Sequence, residues 1–252
     1  MPASFSSMPA KRRSPVALAL LGTLALLAFS ALVALGNWQV HRRAWKLDLI
    51  ERVDARIHAP PVALPALGTW PAIQAGADEY RRVQATGTFL YDQEALTQAT
   101  TSLGAGFWIM TPLRMRDGVL LVNRGFVPAD RRDRASRAAA EQPGEATVTG
   151  LIRMSEPKGG FLRTNDPAAD RWHSRDVEEI AASRGLQSVA PFFVDADASP
   201  NAGGLPVGGL TVVSFPNSHL VYAVTWYVLA LMVAAAAAYV AREEWRARRK
   251  PT

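Results

Sequence analysis

Two apolar runs without a single charge, one near each end, constrain this chain more than anything else in it. Residues 220–241 are 22 positions free of Asp, Glu, Lys and Arg. At 1.5 Å per helical residue they make about 33 Å of helix, enough for the roughly 30 Å hydrocarbon core of a bilayer. Residues 15–35 are a second such run, 21 positions long. Tyr222, Trp226 and Tyr227 lie in the first two turns of the later run, where amphipathic rings settle at a lipid-water boundary. The expected class is a membrane protein of α+β type: two transmembrane helices flanking a mainly antiparallel β domain with one short helix. Its segments are a tail at 1–14, a helix at 15–35, a domain at 36–218, a helix at 219–241 and a basic tail at 242–252.

The charge distribution sets the expected topology. The chain carries a net +6, yet residues 36–218 hold 20 Lys plus Arg against 20 Asp plus Glu. The excess therefore lies in the tails, in Lys11, Arg12 and Arg13 and in Arg242, Arg246, Arg248, Arg249 and Lys250, against only Glu243 and Glu244. Lys and Arg beside membrane helices stay on the cytoplasmic side, so both termini are expected inside and the long middle outside. A neutral middle domain has no excess of positive charge to meet nucleic acid. The tails suit acidic membrane lipid instead. The first run exceeds the 7–15 residues or so of a signal peptide core and ends in no small-x-small cleavage pattern, so it reads as an anchor. With no cysteine, the domain has neither a disulfide framework nor a thiolate metal site and must rely on its core.

Beyond residue 35 the helix is expected to continue outward, because Trp38, Trp45, Leu49 and Val53 recur near helical spacing. Arg42, Arg43 and Lys46 then sit where phospholipid headgroups, or another anionic group, meet them. Prolines at 60, 61, 65 and 71 predict an extended linker over 59–77. Val83, Ala85, Gly87 and Phe89 alternate with polar residues, the period-two signature of a half-buried strand. Strands follow at 107–115 and 119–127 around the Asp117-Gly118 turn, then at 147–154, 192–195 and 210–215. Residues 128–145 read as a mainly solvated excursion. Residues 176–184 read as a short helix opened by Asp176 and stopped by Gly185, and the glycines of 200–209 as a structural turn. The β unit is expected to curl toward a barrel.

Catalytic signatures are scarce: no G-x-S-x-G, H-E-x-x-H, Walker loop or G-x-G-x-x-G occurs. The chain is therefore expected not to be an enzyme. His173 stands among Asp170, Ser174 and Asp176, but sequence neighbours rarely form a hydrogen-bonded relay, so a hydrolase reading is weak. Four histidines are present, and His219 differs from the others by standing at the mouth of a membrane helix. A neutral imidazole can ligate haem iron. Positions 219, 222, 223, 226 and 230 share one helical face and offer a flat slot. An interfacial hydrogen bond or cap is the alternative role. His41, at the outer end of the other helix, is a weaker second nitrogen.

Several blocks resemble the surfeit-locus-one family of cytochrome c oxidase assembly factors. They are Leu35-Gly36-x-Trp38-Gln39-x-x-Arg42, Val122-Asn123-Arg124-Gly125-Phe126-Val127-Pro128, Asn165-Asp166-Pro167, and Trp172-His173-x-Arg175-Asp176. The loop Gly203-Gly204-x-Pro206-x-Gly208-Gly209 follows, and then Asn217-x-His219-Leu220-x-Tyr222-x-x-Thr225-Trp226-Tyr227. The resemblance covers most of residues 36–227 and departs from the family pattern at Val221, where glutamine is usual. It implies a role in building the haem a centre of oxidase subunit one, in company with haem a synthase. His219 falls at the matching iron-ligand position. Tyr222 and Trp226 would supply the wall, and Arg42 and Arg43 are candidates for the haem propionates. A haem-free scaffold for an oxidase subunit is the alternative. The short segment before the first helix leaves little room for an organelle transit sequence, which points to a bacterial inner membrane with the domain in the periplasm.

Overall fold

A computed structural model describes residues 13–160, 162–211, 213 and 215–249. The chain divides into two units, one comprising the terminal segments up to residue 50 and from residue 215, the other spanning Glu51–Ser214. The first unit is built on two long helices. Helix α1 runs unbroken through Pro15–His58, as the spacing beyond residue 35 predicts, and the last helix of the chain spans His219–Arg249. Both are long and apolar enough to cross a bilayer. Their outer faces expose Leu20, Leu24, Leu27, Val221, Leu231 and Met232, an extent of apolar surface that marks a membrane or protein contact. Of the tail charges, Lys11, Arg12 and Lys250 lie outside the described residues.

The second unit is a barrel-like sheet. In chain order it comprises β1 (Val62–Ala63), helix α2 (Ala75–Asp78), β2 (Arg82–Phe89), β3 (Ala95–Thr101), β4 (Gly104–Arg114), β5 (Val119–Pro128), β6 (Glu145–Met154), helix α3 (Val177–Ser183) and β7 (Val189–Ala196). The final helix is thus α4. The strand order is β1-β2-β6-β7-β5-β4-β3, and a further pairing of β2 with β4 closes five of these strands into a ring. That closure rests on Thr88 opposite Arg114 and Phe89 opposite Leu113. Most pairs are antiparallel, as the alternation predicts, but β1 with β2 and β5 with β7 are parallel. Strand β5 is buried on both faces, which explains its nearly continuous apolar run.

Alternate residues divide two cores. Val83, Ala85, Leu113, Leu120, Val122, Ile152, Phe192 and Val194 fill one cluster with Trp70. Leu121, Phe193, Met110 and Ala95 face the other way and pack with Trp172, Val177 and Ile180. Helix α3 covers that second face. Its start follows from sequence: the Asp176 side chain accepts from Glu179 N at 3.1 Å, the N-cap bond that short helices need.

Three expectations change. Residues 59–77 are not an extended linker, for they hold β1, a 3₁₀ turn at Leu67–Ala72 and the start of α2. The prolines forbid a long helix, but Trp70 is 4% exposed and stacks edge-on against Phe192. Residues 128–145 are less solvated than their charge suggests. Arg137 reaches inward to the carboxylate of Glu94, and both side chains are buried. The described part of 210–215 forms no strand, Val212 and Ser214 lying outside the described residues; Thr211 instead donates to Asp195 at 2.9 Å.

Asp195 gathers an ionic network beside the second core. It accepts from Asn123 Nδ2 at 2.8 Å, Arg153 Nη1 at 3.2 Å and Arg175 Nη1 at 3.0 Å. Arg175 also pairs with Glu156. Burial opposes the charge on Glu156, but the bond and charge of Arg175 prevail and hold its carboxyl below the ordinary value of 4.5. A depressed carboxylate stabilises the fold above its unfolded pKa, and that contribution is lost as pH falls through the folded value. Asp195→Asn is expected to cost about 2 kcal/mol, since it removes the buried carboxylate that two arginines share and leaves Arg175 with Glu156 alone and Arg153 with Glu79 alone. Denaturant unfolding of the full chain checks this. The stability lost on acidification below pH 4.5 should be smaller in Glu156→Gln than in the parent.

Candidate functional site

In the terminal unit the buried positions of α1 are Gly36 and Gln39, with Leu32, Arg43, Lys46 and Ile50 partly covered. They follow each other at intervals of four and three, the seam of two packed helices. On α4 the matching positions are His219, Ala223, Trp226 and Ala230, the two alanines each 2% exposed. Close approach needs a small residue: a Cβ on Gly36 would stand 2.6 Å from the Tyr227 ring. Tyr227 then donates its hydroxyl to Asn37 Oδ1 at 2.7 Å. Lys46 lies 6.0 Å from the centre of the Phe215 ring.

His219 meets Gln39 in this seam, Nδ1 to Oε1, at 2.8 Å. Gln39 is 9% exposed, so its amide is fixed, and it fixes the imidazole in turn. An amide oxygen can only accept, so Nδ1 carries a proton, and in the neutral ring the lone pair is then on Nε2. Among the described residues no hydrogen-bond partner faces Nε2. This is the ring state a metal-ligating histidine needs.

The structure divides the remaining predicted site residues. Ala223 and Ala230 are consumed by the seam, so the face through 219, 222, 223, 226 and 230 is not an open slot between helices. Tyr222 is exposed, on the side of α4 that the seam leaves uncovered. Trp226 is partly covered, and its Nε1 is buried without an acceptor among the described residues. Asn217 Oδ1, two residues before His219, is likewise without a donor. Arg42 and Arg43 are neighbours on different sides of α1. The Arg42 guanidinium stacks 4.0 Å over the exposed Trp45 ring, whereas Arg43 sits on the seam side, one turn beyond Gln39. His41 is exposed. These residues would fit a haem to the extent that His219 would offer a ligating nitrogen supported by Gln39, with the exposed Tyr222 ring beside it.

Other histidines have separate duties. His58 bonds the carbonyl of Asp54 in its own helix at 2.9 Å. His173 Nδ1 is 3.0 Å from Gln98 Oε1, and among the described residues no carboxylate or nucleophile is bonded to its ring. Gln39 is the residue that sequence reasoning passed over. Its signal was a polar side chain in register with Gly36 and Arg43 on a helix face that is otherwise small or apolar.

A model of the SURF1 family matches residues 26–231. The chain is similar to surfeit locus protein 1 of Homo sapiens, 36% identical over 213 residues that cover 77% of this chain and 69% of the human one. The SURF1-like protein of Monosiga brevicollis is 36% identical over 223 residues, 83% of each chain. The mouse surfeit locus protein 1 is 35% identical over 212 residues, covering 77% and 67%. The matched span includes both sides of the seam, Gly36 and Gln39 as well as His219 and Tyr227. Placing leucine at Gly36 should overpack that seam and cost about 2 kcal/mol. Loss of helical circular dichroism in a denaturant titration in mixed micelles would reveal it, with Gly36→Ala falling between that variant and the parent.

Proposed function

This chain belongs to the SURF1 family, and from that premise we propose that it is a membrane-anchored assembly factor for a haem-copper cytochrome c oxidase. It holds haem a transiently through His219 and assists its placement in oxidase subunit one. The observation that carries this reading is the bond from His219 Nδ1 to the buried Gln39. A haem iron accepts an axial nitrogen and, when bound, supplies a redox-active planar centre. Everything else is the work of this chain. Gln39 sets the tautomer and aims the ring, Tyr222 and Trp226 offer aromatic surface one and two turns along α4, and Arg42 and Arg43 present guanidinium forks for propionates.

Anchoring follows from the apolar outer faces of α1 and α4, which only lipid would cover. The basic tails keep both termini cytoplasmic and the barrel on the other side, the periplasm of a bacterial inner membrane. The role proposed is non-enzymatic, with His173 bonded to Gln98. The working partners are then subunit one and haem a synthase.

Co-expression with haem a synthesis should yield purified protein with a haem spectrum. His219→Ala should diminish or shift that spectrum, Gln39→Leu should weaken retention while leaving the ligand type unchanged, and His58→Ala should have no effect. An unaltered spectrum and stoichiometry in His219→Ala would refute ligation by this residue, and a parent protein that retains no haem would favour the scaffold alone. Orientation is checked separately. A phosphatase fused just after Ser218 should be active, and an active cytoplasmic reporter at that point would reverse the topology.

A further inference from the structure

The barrel unit holds a buried cation to which, among the described residues, no carboxylate is bonded. Arg124, on β5, is 5% exposed. It follows Leu120 and Val122 on the strand face that lines the interior core, so its side chain lies where that core ends. Its guanidinium is 5.2 Å from the ring centre of Phe89 and 4.9 Å from that of Tyr91. Among the described residues its one hydrogen-bond acceptor is the carbonyl of Ala140, which takes Nη2 at 2.7 Å, and no carboxylate pairs with it.

The nearest acids are already engaged. Glu94 is paired with Arg137, and Glu141 receives Arg134 through two bonds of 2.6 and 2.8 Å. Asp197, on the cavity wall, accepts from Ser199 N at 3.0 Å and faces Arg82 at 3.7 Å. Burial lowers the Arg124 pKa from its ordinary value and outweighs the opposing influence of Tyr91, Glu94 and Glu141, while Arg137 adds a second positive charge nearby; this is the expected sign for a charge stripped of water with no counterion bonded to it. Such a group is costly in isolation.

The space beside it is a cavity of about 170 Å³, lined by Arg124, Phe89, Tyr91, Thr147, Thr149 and Asn201 among others. It sits at an end of the barrel interior, a place where small barrels receive ligands. We propose that this barrel mouth is a binding site for a small carboxylate, with Arg124 as its anchor. The aromatic neighbours and the Ala140 bond occupy part of the guanidinium and leave its remaining N–H donors for a ligand, and a planar fork of such donors matches a carboxylate better than a tetrahedral anion. Val122, Val148 and Ala196 on the same wall leave room for an acid of only a few carbon atoms. Nothing in this site depends on His219 or on haem.

The test uses the full chain in detergent. Acetate, phosphate and chloride are titrated separately at constant ionic strength, following thermal unfolding by tryptophan fluorescence and acetate binding by saturation-transfer NMR. Acetate should raise the melting temperature saturably and give a transfer signal, while phosphate and chloride should not. Arg124→Lys, which keeps the charge but not the fork, should weaken acetate by about tenfold, and Arg124→Met should abolish the saturable effect. Absence of a saturable response in the parent overturns the proposal, as does an equal response to all three anions or an unchanged acetate affinity in Arg124→Lys. If Arg124→Met fails to fold, the parent titrations and Arg124→Lys still decide the matter.

Discussion

Closure of the ring is the constraint on which the barrel unit depends. Only two residue pairs, Thr88 with Arg114 and Phe89 with Leu113, join β2 to β4, yet they turn an open sheet with an unprotected edge into a barrel with an inside. Once closed, the sheet has two distinct faces. The inner one is filled by a single apolar cluster; the outer one beside β5 and β7 takes Trp172 and α3. Strand β5 stands between these layers, which is why it must be apolar on both sides and why a polar residue there needs a dedicated partner. Asn123 has Asp195, whereas Arg124 has, among the described residues, two rings and a carbonyl.

The conserved-looking blocks that mark the family resemblance acquire different meanings on this scaffold. Asn123 bonds Asp195 and takes Gly125 N with its own oxygen at 3.1 Å. Gly125 has φ +132, and a Cβ there would stand 2.3 Å from the Val207 carbonyl, so the block also fixes the loop that follows β7. Asn165 accepts from the backbone of His173 and Ser174 and thereby shapes the approach to α3. Trp172 fills the outer core and Arg175 completes the ionic network. These blocks maintain the barrel. The block at His219 belongs to the helix pair and sets an imidazole against Gln39.

How much of this was legible depended on whether side-chain pattern or pairing geometry made the element. β2 alternates cleanly, β5 is a sustained apolar run and Asp117-Gly118 announces their neighbourhood of hairpins, so those elements could be read directly. β3 could not: Ala95 to Thr101 is small and polar, and it becomes a strand through its register with β4. β1 is two residues long and exists only because β2 offers it an edge. Trp70 hid among prolines, and Arg137 among solvent-seeking charges, because burial of either requires a partner far away in sequence. On α1 the conspicuous Trp38 and Trp45 revealed the helix but misdirected attention to its outer side; the inner side is marked by the modest Gly36 and Gln39. His219 was legible by position, but its hydrogen-bond state was not.

The Gln39–His219 contact joins residues 180 positions apart, and this separation carries a consequence for the order of events in the cell. During synthesis Gln39 emerges early and His219 only after the whole barrel sequence has been made. A nascent or truncated chain thus has an unoriented glutamine and no aimed imidazole, whatever the state of its barrel. The contact is therefore late by construction: an imidazole oriented by Gln39 exists only once both helices have been made and brought together.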